Sequence, residues 1–158
     1  MNRNRTIAAV ALAAAALLAP PAGAQPAQGG LYIAGAAGFT FKAAAEQALA
    51  KNPAGQRFFM LVVPPQTNAL KRDAPRNLNA IRDRVQATGG VIFVCQRDID
   101  KGRIDPKTLV PGIVAVRGWG PKGASDMPVG ERYFPGEDRV VLPKSDEALR
   151  RLRATCAY

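Results

Sequence analysis

Five short apolar runs punctuate the chain beyond residue 30. They are Leu31-Tyr32-Ile33-Ala34, Phe58 to Val63, Val91 to Cys95, Ile113 to Val116, and Arg139-Val140-Val141-Leu142. Each is bounded by residues that interrupt regular structure: Gly35, Pro64-Pro65, Gly89-Gly90 and Pro111-Gly112. Short apolar runs between such breakers predict strands, and the paired prolines end theirs because proline cannot continue a central ladder. Between the runs the pattern changes period. Lys42 to Lys51 is Ala-rich, carries Glu46 and Leu49, and predicts a helix stopped by Asn52-Pro53-Ala54-Gly55. Over Arg76 to Thr88, Leu78, Ile81 and Val85 fall on one helical face, and Gly89-Gly90 closes it. Asp105-Pro106 reads as an N-cap followed by proline in the first turn. Ser145 is placed to cap a last helix, with Asp146 and Glu147 in its positive first turn and Leu149, Leu152 and Cys156 on its inner face.

The predicted strands are apolar throughout rather than alternating. Such strands are buried on both faces, as in a parallel sheet between helix layers. The expected fold is therefore an α/β three-layer sandwich with a mostly parallel, five-stranded sheet. Two connections stand out. Gln66 to Asp73 is a polar loop. Residues 117–138 hold glycine, proline and charge around Trp119, Tyr133 and Phe134, with a short hairpin around "GERYFPGED" as one form they could take. A connection of that length in a compact domain is usually functional or disordered. Its aromatics either clamp a ligand or pin the loop to the body.

Residues 1–24 read as a cleaved secretory signal. Arg3 and Arg5 precede an apolar Ile7–Leu18 stretch, Pro20-Pro21 break it, and Ala22-Gly23-Ala24 forms a small-x-small cleavage pattern. Residues 25–158 are then one domain, with a periplasmic or secreted destination and no membrane span in the mature chain. Of the formal charge of +10, two positives leave with the signal, so the mature chain carries +8. The Lys and Arg residues are scattered and not interleaved with aromatics, so solvated surface charge is favoured over nucleic-acid binding. The chain has no histidine. That excludes a Ser-His-Asp triad, a Cys-His pair and His-ligated metals. Asp98, Asp100 and Asp105 alternate with Lys101, Arg103 and Lys107, a solvated charged turn rather than a metal site. No cofactor and no metal is expected.

The remaining chemistry lies with two cysteines, Cys95 and Cys156. In open parallel sheets ligands collect outside the carboxyl ends of the strands, where Cys95 ends its run. Asn68, Arg97, Arg117 and Trp119 follow strands at the same edge and are the candidate binding residues; Arg97 or Arg117 could hold a thiolate. Three roles stay open for Cys95: a reactive thiol able to carry a persulfide, half of a disulfide with Cys156, or an inert core residue. Export favours the disulfide. A last helix running antiparallel to the strands argues against it, because Cys156 would then lie near their amino ends. A five-residue strand spans roughly 15 Å, and a bridge needs Cα atoms within about 7 Å.

The segment "GGVIFVCQRDIDKGRIDPKTLVPGIVAV" resembles the DsrE/DsrF-like sulfur-relay family. It has a strand ending in "VC", a short helical turn, and L-x-P-G-I feeding the next strand. The "LVV" strand and the helix ending in Gly-Gly also fit, so the likeness covers roughly Gly30 to Gly118. It implies a flavodoxin-like three-layer sandwich that tends to form homo-oligomers. It also implies a cysteine at Cys95 of the kind that in some members accepts and passes sulfur as a persulfide, with small sulfur species or a partner protein as the exchange partner. The rival expectation is a non-catalytic binding or assembly module that uses the 117–138 loop, with Cys95–Cys156 a structural disulfide.

Overall fold

The computed structural model describes residues 28–119 and 133–158. The predicted signal segment and the middle of the 117–138 loop lie outside the described residues. Four strands form one parallel sheet: β1 (Leu31–Ala34), β2 (Phe58–Val62), β3 (Gly90–Cys95) and β4 (Ile113–Val116). They lie side by side in chain order, β1-β2-β3-β4. Register is continuous: Leu31 pairs with Phe59, Phe59 with Val91, and Cys95 with Val116.

Four helices accompany the sheet: α1 (Phe41–Lys51), α2 (Arg76–Ala87), the single-turn α3 (Gln96–Asp100) and α4 (Asp146–Thr155). Local chemistry sets their starts. The Thr40 side chain accepts from the Ala43 N–H of α1, and the Ser145 side chain accepts from the Ala148 N–H of α4. Asp105 accepts from the Lys107 N–H and begins a 3-10 turn over Pro106–Thr108. The polar loop after β2 holds another 3-10 turn, Gln66–Leu70.

The strands are apolar at every position because each face has its own core. Phe58, Met60 and Val62 of β2 join Ile92 and Val94 of β3 against Phe41, Ala44 and Ala48 of α1 and Ile81 and Val85 of α2. The intervening residues, Phe59 and Leu61 with Phe93 and Cys95, pack against Leu149, Leu152 and Cys156 from α4 and its C-cap. Period-two alternation thus sends one apolar set to each side of the sheet. Gly90, at the start of β3, has no room for a side chain: a Cβ there would lie 2.6 Å from the Val85 side chain and 2.7 Å from Phe58.

Two expectations need correction. Arg139 to Leu142 forms turns, not a fifth strand. The Val140 N–H is taken by the Asp138 carboxylate and the Val141 N–H by the Asp138 carbonyl, so local turn bonds replace a ladder. The strand order also differs from the 2-1-3-4-5 order of a flavodoxin-like sheet. Each connection advances to the next neighbour, and α1 and α2 share one face. No reversal of direction occurs among the described strands, so the crevice that such a reversal opens is not formed.

The missing fifth strand also turns the last helix around. The Arg57 guanidinium donates to the Val140 carbonyl at 2.5 Å, and the Lys144 N–H donates to the Gln28 side chain at 2.9 Å. Gln28 and Arg57 precede β1 and β2, so residues 140–144 lie beside the amino ends of the strands. The chain leaving β4 has therefore already travelled back along the sheet when α4 begins. Ten residues of helix advance about 15 Å, and α4 carries the chain up again to the carboxyl ends.

Candidate functional site

Cys95 is the last residue of β3 and is fully buried. Cys156 is the C-cap of α4 and is fully buried as well. They form a disulfide, with Cα atoms 5.1 Å apart and a sequence separation of 61. Of the three roles left open for Cys95, the structure has the disulfide with Cys156. A last helix antiparallel to the strands would have kept the two cysteines apart; α4 runs with the strands and delivers Cys156 to the edge where Cys95 sits.

The residues around the bridge tie the segment after α4 to the turn after β3. The Arg97 guanidinium donates to the Ala157 carbonyl. The Tyr158 hydroxyl donates to Asp100 at 2.7 Å, and Lys101 lies over the Tyr158 ring at 5.8 Å. The Tyr158 bond, aided by one from Gln96 and by the charge of Arg117, holds the Asp100 carboxyl below its usual range. The same bond holds the Tyr158 hydroxyl above its usual range. Gly118 is packed so closely against the Cys156–Ala157 backbone that any side chain there would overlap it.

Asp98, one helical turn beyond Cys95, is 1% exposed. Its carboxylate accepts from Arg103 at 3.3 Å and lies 3.7 Å from the Arg97 Nε. Its backbone carbonyl accepts from the Arg103 and Ile104 N–H groups, at 2.8 and 3.1 Å. Asp98 therefore organises the exit turn of β3. The acidic residues of this turn have structural partners, and among the described residues no cluster of His, Cys, Asp or Glu could hold a metal ion.

The other predicted site residues separate. Arg97 reaches the tail beside the disulfide. Arg117 is exposed, with its guanidinium 5.9 Å from the Phe134 ring centre and its carbonyl accepting from Arg153 at 2.8 Å. Arg117 also lines a shallow groove of about 240 Å³ between β4 and Pro135–Leu142, into which neither Cys95 nor Trp119 opens. Trp119 is 5% exposed, so it anchors its loop and presents no ring for a ligand. Its neighbours are Phe134, 6.1 Å away, and the Arg153 guanidinium, 5.5 Å from the ring. Asn68 belongs to the 3-10 turn whose Ala69 and Leu70 pack on the opposite face of the sheet from Cys95. It is not part of the disulfide site.

Arg153 was not among the sequence candidates. It is fully buried, its guanidinium pairs with both oxygens of Glu137, and it lies 4.8 Å from the Phe134 ring centre. A signal existed: Arg153 is four residues from Leu149 and three from Cys156, within the inner stripe of α4. What arrangement results is a cross-linked, hydrogen-bonded clamp at the carboxyl edge, with no accessible nucleophile at its centre. No described helix is long and apolar enough to cross a membrane. No family model, no curated protein and no solved structure matches the chain.

Proposed function

We propose that the chain is an exported, non-catalytic binding or assembly module of DsrE/F-like character, held shut by a structural Cys95–Cys156 disulfide. The observation that carries this reading is the burial of both bridged cysteines, which are the only two in the chain. A sulfur carrier needs a thiolate that a donor and an acceptor can reach in turn. Here the sulfur is committed to a bond and covered by α4. A bridge of this kind also accords with the secretory signal read from residues 1–24. Packing of α1 and α2 on one face and α4 on the other supports the three-layer form of the fold.

A second reading keeps a thiol redox response or persulfide handling at Cys95. It draws on the position of Cys95 at the carboxyl end of an inner strand, next to Arg97. It requires reduction before any sulfur chemistry can begin.

Thiol counting separates the two. The exported protein is treated with a mass-tagged alkylating reagent under native conditions, after unfolding, and after reduction, and read by intact mass. The module reading expects no tags until reduction and two afterwards, in a monomolecular species. One or two tags on the native protein, or a persulfide increment on Cys95 after polysulfide treatment, would establish the second reading instead.

A further inference from the structure

β1 forms the border of the sheet away from β4. Among the described strands β1 pairs with β2 alone. The Gly30 and Ala34 carbonyls accept from the Phe59 and Val63 N–H groups, at 3.1 and 3.0 Å. In a parallel strand the N–H and C=O of one residue point the same way, and the direction alternates along the strand. Tyr32 therefore also faces β2, and the backbone groups of Leu31 and Ile33 face outward.

That edge opens on a groove of about 420 Å³. Tyr32 lines it on the α1 side, with Ala44 and Lys51. Ile33 lines it on the α4 side, with Arg151. Above the carboxyl end of β1, the Gly35–Phe39 turn is closed by the Gly35 N–H on the Phe39 carbonyl at 2.7 Å. Ala37 holds φ at 51° in this turn, a left-handed conformation that a residue with a Cβ adopts at a cost. The turn presents Phe39 at 46% exposure on the groove wall. Lys51 and Arg151 are exposed, neither forms an ion pair with a described residue, and among the described residues no carboxylate lines the groove.

We propose that this groove receives an extended acidic peptide segment, which adds to β1 as a new edge strand. Outward backbone groups would supply register-defining hydrogen bonds, and pockets on alternate faces would supply specificity. Successive side chains of an added strand point to opposite faces of the sheet. Adjacent acidic residues therefore meet Lys51 on one face and Arg151 on the other, while Phe39 covers an apolar neighbour. The proposal rests on the binding-module reading and gives it a surface separate from the 117–138 loop.

The test uses the full oxidised chain and a fluorescein-tagged peptide alternating Thr and Val around a central Glu-Asp pair, followed by anisotropy. Saturable, salt-sensitive binding is expected, and none with a Lys-Lys centre. Methylating alternate peptide amides abolishes the backbone ladder and should abolish binding. Lys51→Glu with Arg151→Glu should weaken binding by about tenfold or more, and Phe39→Ser should weaken it independently. All three positions are exposed, so these variants should fold. Absence of binding at about 1 mM peptide, equal binding of the methylated peptide, or indifference to charge reversal overturns the proposal. So does a dimer, seen by sedimentation, that the acidic peptide fails to dissociate, because a second copy then fills the groove. Failure with the bridge intact removes the acidic-strand site alone; a reactive native Cys95, reported separately by the thiol count, removes the module reading.

Discussion

Tyr158 lies just beyond α4, and its hydroxyl is one of the ties between that segment and the turn after β3. The tie titrates at both ends of the pH scale. The Tyr158 hydroxyl is raised above its ordinary value of 10.0, so its contribution is full below that value and is lost as pH rises through the raised one. Asp100 is lowered from 3.8, so its contribution is present above that value and is lost as pH falls through the lowered one. Between the two the tail should be docked. An ultraviolet titration of the three tyrosines, with Tyr158→Phe to identify one of them, reads this directly. Asp100→Asn should return Tyr158 towards the ordinary range. A Tyr158 transition unmoved by Asp100→Asn would show that the hydroxyl is held by something else.

α4 is held to the sheet by an apolar stripe and the disulfide, and to the loop before it by a buried ion pair, and the stripe and the pair respond differently to substitution. Leu149, Leu152 and Cys156 bury against Phe59, Leu61 and Phe93. Arg153 has no exposed surface, and Glu137 keeps only 15%. Removing one member of such a pair strands the other charge away from water, which costs about 3 kcal/mol; exchanging both for neutral groups avoids that penalty. Glu137→Gln alone should therefore destabilise more than Glu137→Gln combined with Arg153→Met. Urea unfolding of the two single variants and the double variant checks this, and strict additivity would mean that the pair does not interact. At this scale the sequence was legible where one run of residues decides the outcome. β1 and β4 have the predicted ends, and α1 and α2 agree within a residue, because apolar runs and breakers act locally. Arg139 to Leu142 misled because its composition suits a strand while Asp138 captures its first amides. The turning of α4 was hidden because it depends on where that segment lies against Gln28 and Arg57, which no local pattern encodes. Arg153 looked like a surface cation because its partner, Glu137, lies 16 residues away in an irregular loop.

Across the whole molecule, the Cys95–Cys156 bridge joins an inner strand to the helix that covers it, closing a chain segment that contains β4 and α4. Local interactions at the carboxyl edge are few: the Tyr158 tie is exposed, and the Arg97 bond reaches a single carbonyl. Retention of α4 therefore depends on its apolar stripe, on the buried Arg153 contacts and on the reduced freedom of the unfolded chain. For a sequence separation of 61, loop closure predicts about 4 kcal/mol of stabilisation. Cys95→Ala and Cys156→Ala should each lose most of that amount, and the double substitution should lose little more, because one bond is removed in every case. Gly118→Ala gives an independent view of the same joint. Its methyl group would overlap the Cys156–Ala157 backbone, so it should destabilise the oxidised protein more than the double cysteine variant, in which the helix end is free to shift. Chemical denaturation of six proteins, with wild type and the Gly118→Ala form of the double cysteine variant included, reads all these differences. Additive losses from the two cysteine substitutions would show that each thiol acts separately through packing and that the bridge does not hold the fold.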